Sequence, residues 1–275
     1  MKKVGIKIAI AVVVLATLLV IALAVLYSNR NTIIKKSVET VLSDVLQVKV
    51  TLESANLSIP KRTVELKGLV IANPDGFKTP KAFSMDSILV KVDVLSFRTE
   101  EPVINIISME SPDITIEQGF HGSNISTLIK NASGEEEKKE PEEEKETEAG
   151  KAIKIEKVVV DKAEIGLSAP VLKGRSISYT LPRFEMNDIG GKGKKTTIAE
   201  SIRIFLIEIL KRSLAQGKGI IPDDLQKSLQ SSLDSVVSTV GKQLDTMSDI
   251  TKDVGEGLEK GIEDTTKGIK DLLGK

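Results

Sequence analysis

The residues that could do chemistry are few, and their spacing argues against catalysis. Gly190-Gly191-Lys192-Gly193-Lys194-Lys195-Thr196 has the glycines and lysines of a phosphate cradle, but not the GxxxxGK[ST] spacing, and the helix that follows starts from its own Thr cap. It reads as a solvated loop. The one histidine, His121, sits in Gly119-Phe120-His121-Gly122 with no Ser or carboxylate at a recognisable motif distance, so it reads as a turn residue. With no cysteine, neither a disulfide framework nor a thiolate metal site exists. Asn-x-Ser sequons at Asn56, Asn124 and Asn131 matter only in a host that glycosylates. The expectation is a protein that is not an enzyme and holds no metal or cofactor. Its function must then rest on surfaces.

The surface with most to offer is an apolar sheet face. Val48, Val50 and Leu52 alternate with Lys49 and Thr51; Val64 and Leu66 alternate with Thr63, Glu65 and Lys67; Ile88, Val90, Val92 and Val94 keep the same two-residue rule. These nine apolar residues are the candidate lining of an apolar binding face. Alternation does not say what covers the face, so lipid, protein or the chain's own helices remain open as occupants. Asn73-Pro74-Asp75-Gly76 marks a turn, and further strands read over Val103 to Met109 and Asp113 to Glu117 before Asn124 to Lys130 turns helical. The predicted class is α+β, with a curved, mainly antiparallel, groove-like sheet and flanking helices.

Several elements position that face. The run from Ile8 to Leu26 is uncharged, follows Lys2, Lys3 and Lys7, and is long enough to cross a bilayer. It reads as an anchor or as a cleaved signal. Ala22-Leu23-Ala24 offers small residues for cleavage, but Val25, Leu26 and Tyr27 continue the apolar run and favour the anchor. Either reading exports the remaining chain. From about Thr32 to Leu46 the stripe Ile34, Val38, Val41 and Val45, widened by Leu42 and Leu46, predicts an amphipathic helix.

Net charge is zero but uneven. Glu135 to Glu148 holds nine Glu against three Lys, and Asp223 to Lys275 holds eleven acids against seven lysines, so the rest is basic and suits an anionic membrane surface. No basic stripe is interleaved with aromatics, which argues against nucleic acid as a partner. Residues 133–151 carry too little apolar surface to fold and read as an acidic linker. Strands resume at Ile153, Ile155, Val158 to Val160, Glu164 to Leu167 and Ser176 to Leu181, completing or extending the first sheet.

Thr197 and Glu200 form a capping box that opens a helix through Ile202, Phe205, Leu206, Ile209 and Leu210. From Asp223 the apolar positions Leu225, Val236, Met247, Leu258 and Ile269 recur every eleven residues, the pattern of a long amphipathic helix. Its polar face is net acidic, which favours docking on protein over lipid. The segments are therefore 1–30 anchor, 31–132 helix and first sheet, 133–151 linker, 152–222 second strands and apolar helix, and 223–275 helical tail.

Two groups of motifs carry a resemblance. Leu69-Val70-Ile71-Ala72-Asn73-Pro74-Asp75-Gly76-Phe77, then Ser111-Pro112-Asp113-Ile114, then Gly122-Ser123-Asn124-Ile125-Ser126-Thr127-Leu128 together resemble the AsmA-like family of Gram-negative envelope proteins. Leu181-Pro182-Arg183-Phe184-Glu185-Met186-Asn187-Asp188-Ile189-Gly190, leading into the Thr197 helix, is similar to the matching stretch of small, single-domain members. The resemblance spans most of Asn31 to Leu214. It implies a single-pass inner-membrane protein, N-terminus cytoplasmic and bulk periplasmic, with a β-rich groove of the kind that carries phospholipid between membranes. Large members build a trough that bridges the periplasm; this chain has strands for a short one only. The expectation is a membrane-anchored lipid-binding or lipid-transfer protein. The alternative is an assembly factor whose apolar face, or whose 223–275 tail, holds an envelope protein.

Overall fold

The computed structural model describes residues 29–120, 122–134, 152–189 and 196–241. The Ile8 to Leu26 run, His121, residues 135–151, the loop 190–195 and the tail beyond Gly241 lie outside them. Among the described residues no helix is long and apolar enough to cross a membrane.

Helix α1 covers residues 29–46 and turns Ile34, Val38, Val41, Leu42, Val45 and Leu46 to the core. A second stripe, four residues apart, does different work. Asn31, Glu39 and Ser43 accept hydrogen bonds from the backbone N–H groups of Leu57 (3.1 Å), Leu52 (2.7 Å) and Val50 (3.1 Å), and Lys35 Nζ donates to the Glu53 carbonyl at 3.3 Å. The helix thereby closes the sheet edge made by β1 (Val50–Thr51) and β2 (Ser54–Ser58), whose free N–H groups would otherwise recruit other chains.

The remaining strands are β3 (Thr63–Ala72), β4 (Lys81–Asp93), β5 (Val103–Glu110), β6 (Asp113–Gly119), β7 (Gly122–Ser123), β8 (Ala152–Asp161), β9 (Ala163–Ser168), β10 (Ile177–Leu181), β11 (Phe184–Ile189) and β12 (Thr196–Thr197). β1 and β2 pair with β3, β3 with β4, and β4 with both β5 and β6; β8 and β9 follow, then β11 and β10. The ladders β5–β8 and β6–β9 are parallel and the others antiparallel, so the curled sheet is mixed. Parallel pairing follows from the long excursion after β7, since such strands need a crossover connection. Residues 152–189 thus complete the first sheet, and a single core draws on both segments.

A crease divides this sheet into two halves. Inward-facing residues jump from Leu66 to Leu69 on β3, Met85 to Ile88 on β4, Met109 to Pro112 between β5 and β6, Val160 to Ala163 between β8 and β9, and Leu181 to Phe184 between β10 and β11. Each jump is three residues where a regular strand would give two, so each strand carries one extra residue at the same level. Gly68 (φ 60°), Ser111 (φ 51°) and Lys162 (φ 52°) take left-handed backbone there. At Gly68 a Cβ would stand 2.7 Å from that of Glu53. Backbone bonds from Ser111 N to Asp161 O (2.7 Å) and Glu164 N to Pro112 O (2.8 Å) stitch the two levels together.

The distal half, β6, β9, β10 and the adjoining ends of β3 and β4, is closed by helices α2 (Asn124–Asn131), α3 (Ile198–Gln216) and α4 (Asp223–Gly241), which pack on one another and on the sheet. Ile116, Leu128, Ile129, Ile165 and Leu167 are fully buried there. The Thr197–Glu200 capping box is present in both directions. Tyr179 Oη donates to the Ser213 carbonyl at 2.8 Å, and burial pushes its pKa up to about 12 against the opposing effect of that bond. Within α4, Leu225, Leu229, Leu233 and Val236 are buried, so the described part of the tail docks on its own chain.

Strand extents differ from the alternation in several places. The expected strand Val48 to Leu52 is reduced to Val50–Thr51, because α1 ends in a left-handed turn at Gln47 (φ 52°) and Val48 is still in that turn. β4 begins earlier, at Lys81, and stops at Asp93, leaving Val94 in a loop. β2 and β11 were not expected, the first because Ser54-Ala55-Asn56-Leu57-Ser58 is too polar to announce itself.

Candidate functional site

The proximal half of the sheet, between the crease and the 59–62 and 94–102 loops, is hollow. Its rows of paired residues are apolar on the inner side: Val64, Val90, Ile107 and Val158; Leu66, Ile88, Met109 and Val160; Val92, Ile104, Ile155 and Ile189. A bulge at Asn105, opposite the step from Lys91 to Val92, lets Ile104 and Ile107 face the same way although they stand three positions apart, while Asn105 turns out to bond Glu156 at 3.0 Å.

Together with α1 and the first turns of α3, these rows bound a cavity of about 530 Å³. α1 supplies Ile34, Ser37, Val38, Val41 and Leu42, and α3 supplies Ile198, Ser201, Ile202 and Phe205. Among the described residues Ser37 and Ser201 are the only polar side chains in the wall, and Ser201 Oγ donates to the Thr197 carbonyl. Ile34, Val38, Val64, Val90, Ile104, Ile107 and Phe205 are only half-buried, which places the mouth along α1 and α3; the inner end stops at buried Ile114, Ile125 and Leu128. A space of this size lies within the range of ligand sites, ~300–1,000 Å³. It far exceeds the voids that close-packed interiors tolerate.

The nine residues singled out by alternation are spread over different environments. Val64, Leu66, Ile88 and Val90 line the cavity. Val50 and Leu52 lie in the closed core under α1, with half-buried Val48 packed against it. Val92 is buried in the row beside the 94–102 loop but off the cavity wall, and Val94 is 43% exposed in the loop after β4. Sequence reasoning did not single out the α1 stripe, β5 or α3 as walls. Their apolar periodicity was visible, but only the curl of the sheet makes them face Val64 and Val90.

The chemistry-bearing groups cluster elsewhere, behind the distal half. Glu117 is buried and accepts from the backbone N–H groups of Lys78 (2.8 Å) and Thr79 (2.7 Å) and from Thr79 Oγ1 (2.6 Å). Burial pushes its carboxyl up, but these bonds and the Lys78 charge together outweigh burial and hold it below the usual value. Asn124, fully buried, accepts from Glu117 N (2.9 Å) and Ile125 N (2.8 Å) and donates to Asn73 Oδ1 and Thr115 O, both at 2.7 Å. All of its hydrogen-bonding capacity is used. The network ties the Asn73-Pro74-Asp75-Gly76 turn to α2, so its role is to pin a loop. Among the described residues no cluster of His, Asp or Glu could hold a metal ion.

No curated protein and no solved structure matches the chain. The model of the AsmA family matches residues 1–186 of the 275, a span that holds α1, the clamp of Asn73, Glu117 and Asn124, and all the strands of the hollow half except the end of β11 and the short β12. The chain belongs to the AsmA family.

Proposed function

We propose that the protein is a non-enzymatic, membrane-anchored lipid-binding protein of the cell envelope, which takes phospholipid acyl chains into the cavity. The observation that carries this reading is the wall itself: a space of about 530 Å³ whose lining among the described residues includes only two polar side chains, both serines. Such a wall rewards hydrocarbon at about 0.8 kcal/mol per buried CH₂. Among the described residues it has no charged group to fix a headgroup, so the headgroup stays at the mouth and selectivity among phospholipids is low.

The placement of the mouth supports the same reading. Ile34 and Val38 lie near the start of the described helix, a few residues after the expected span from Ile8 to Leu26. With the N-terminus in the cytoplasm, that span would hold the cavity on the periplasmic side, close to the leaflet that supplies the lipid. Whether lipid passes onward to a further carrier depends on partners; the cavity of one chain is short for a bridge.

Photo-crosslinking of the full-length protein in its native membrane tests the proposal. A photoreactive residue at Ile107, which faces the cavity, should give a phospholipid adduct detected by mass spectrometry. The same residue at Ser108, whose row Glu65, Leu89, Ser108 and Val159 faces outward, should give none. Adducts with protein alone at Ile107 would replace this reading by an assembly factor whose client fills the cavity.

A further inference from the structure

At the membrane-proximal end of the hollow half, apolar side chains are displayed outward by a loop that has no internal reason to expose them. β4 ends at Asp93, and the chain crosses to β5 through residues 94–102. Asp93 Oδ1 accepts from Leu95 N (3.0 Å); Ser96 Oγ donates to Asp93 O (2.6 Å) and accepts from Val103 N (2.7 Å); Thr99 Oγ1 donates to Ser96 O (2.7 Å). The polar side chains are spent holding the loop's shape. Leu95 is left 67% exposed and Phe97 55% exposed, although Phe97 also reaches the cavity wall.

The neighbouring β2–β3 turn adds Ile59, 51% exposed, and it is bound to the end of β4 through Val92 N to Arg62 O (3.0 Å). Lys61, Arg62 and Arg98 stand beside these tips, with Glu100 and Glu101 after them. The start of α1 lies at the same end, since Asn31 meets Leu57 on β2, and Ile33 is exposed one turn before cavity-lining Ser37. Only Tyr27 and Ser28 separate Leu26 from the first described residue of α1. Three residue steps reach at most ~10 Å, so a chain anchored by Ile8 to Leu26 holds this rim against its own bilayer.

From this placement we infer that Ile59, Leu95 and Phe97 form a docking edge that inserts into the interfacial layer of the anchoring membrane. Phe97 then continues the cavity wall to the lipid surface. The three cations then lie at headgroup level, with the apolar tips below them at the depth that interfacial amphipathic helices reach, about 5–10 Å into the headgroup and acyl boundary. The inference rests on the anchor reading and deepens it: the span fixes the chain to the bilayer, while the rim sets the orientation that turns the mouth to the leaflet.

The natural sequence has no cysteine, so single cysteines report without background. Leu95→Cys and Ile59→Cys, and as a reference Phe120→Cys at the opposite end of the sheet, where Phe120 is 92% exposed, are each labelled with an environment-sensitive fluorophore in the full-length protein in phospholipid vesicles. Brominated phospholipids should quench the Leu95 and Ile59 probes strongly and the Phe120 probe weakly, with aqueous iodide giving the reverse order. Alkaline extraction of the same vesicles reads the anchor separately. If the protein resists extraction while the rim probes behave like the Phe120 probe, the rim inference fails and the anchor reading stands. If the rim probes are shielded from iodide yet untouched by brominated lipid, a protein covers the edge and the inference is overturned. If alkali releases the protein, the tether is lost and the inference goes with it.

Discussion

Both halves of the sheet use the same five strand paths and the same inward alternation, yet the distal half is solid and the proximal half is hollow. In the distal half Ile116, Ile165 and Leu167 are excluded from water where α2, α3 and α4 close the sheet. In the proximal half Val64, Val90 and Ile107 occupy equivalent positions and remain half-buried, because α1 lies along the edge and α3 reaches only one flank. The difference teaches that strand pattern sets which face is apolar and helix coverage sets what that face is for. The polar clamp of Asn73, Glu117 and Asn124 pins α2 over the distal half, whereas the polar stripe of α1 fastens that helix to the edge of β1 and β2 and leaves the proximal face open.

The largest expected effect breaks the comparison directly. Ile165→Ala, at a fully buried site, should lower stability by about 3–4 kcal/mol in denaturant unfolding, since lost transfer energy and an unfilled void add. Ile107→Ala, in the hollow half, should cost at most ~1 kcal/mol, because its site already faces a space. Equal costs would mean that the proximal half is packed shut. Gly68→Ala tests the crease between them. It sets a Cβ against Glu53 in left-handed backbone and should cost roughly 2 kcal/mol, measured in the same way.

Next in size is Glu117→Gln, expected to cost about 1–2 kcal/mol at neutral pH through loss of charge-assisted bonds. The sign of its pH dependence follows from a folded carboxyl held below 4.5. Its stabilisation is complete above the unfolded value and is lost as pH falls through the depressed folded one. The natural protein should therefore lose stability on that acid limb and the Gln variant should show a shallower limb. The smallest effect on folding sharpens the comparison most. Val90→Glu should change stability by about 1 kcal/mol or less, its site being half-buried, while placing a carboxylate against the acyl chains proposed to fill the cavity. Phospholipid crosslinking at Ile107 should fall sharply while the cooperative unfolding transition is kept.

Much of this was legible in the residues and some was not, for identifiable reasons. The α1 stripe and the Thr197–Glu200 cap are local patterns and were read directly. The Asn31, Lys35, Glu39 and Ser43 stripe is equally periodic, but polar spacing on a helix has no meaning until the edge of β1 and β2 lies beside it. Alternation ran on to Val94 because period two does not register the Asp93 and Ser96 bonds that turn the chain. Nothing local marks Glu117 beyond its place at the end of the Asp113 to Glu117 strand, and its burial comes from a turn nearly forty residues earlier in the chain.

By itself the sequence determined the apolar span, the acidic segment, the α+β class, the family motifs and which side chains alternate, since each depends on composition or on spacing within one element. Tertiary structure alone decided that residues 152–189 pair in parallel with β5 and β6, that five extra residues line up into one crease, and that Val50 is core while Val90 is wall. The physical reason is that an apolar residue is driven out of water with no preference for what receives it. Only the path of the sheet and the reach of its helices determine whether the receiver is another side chain or an empty space of about 530 Å³.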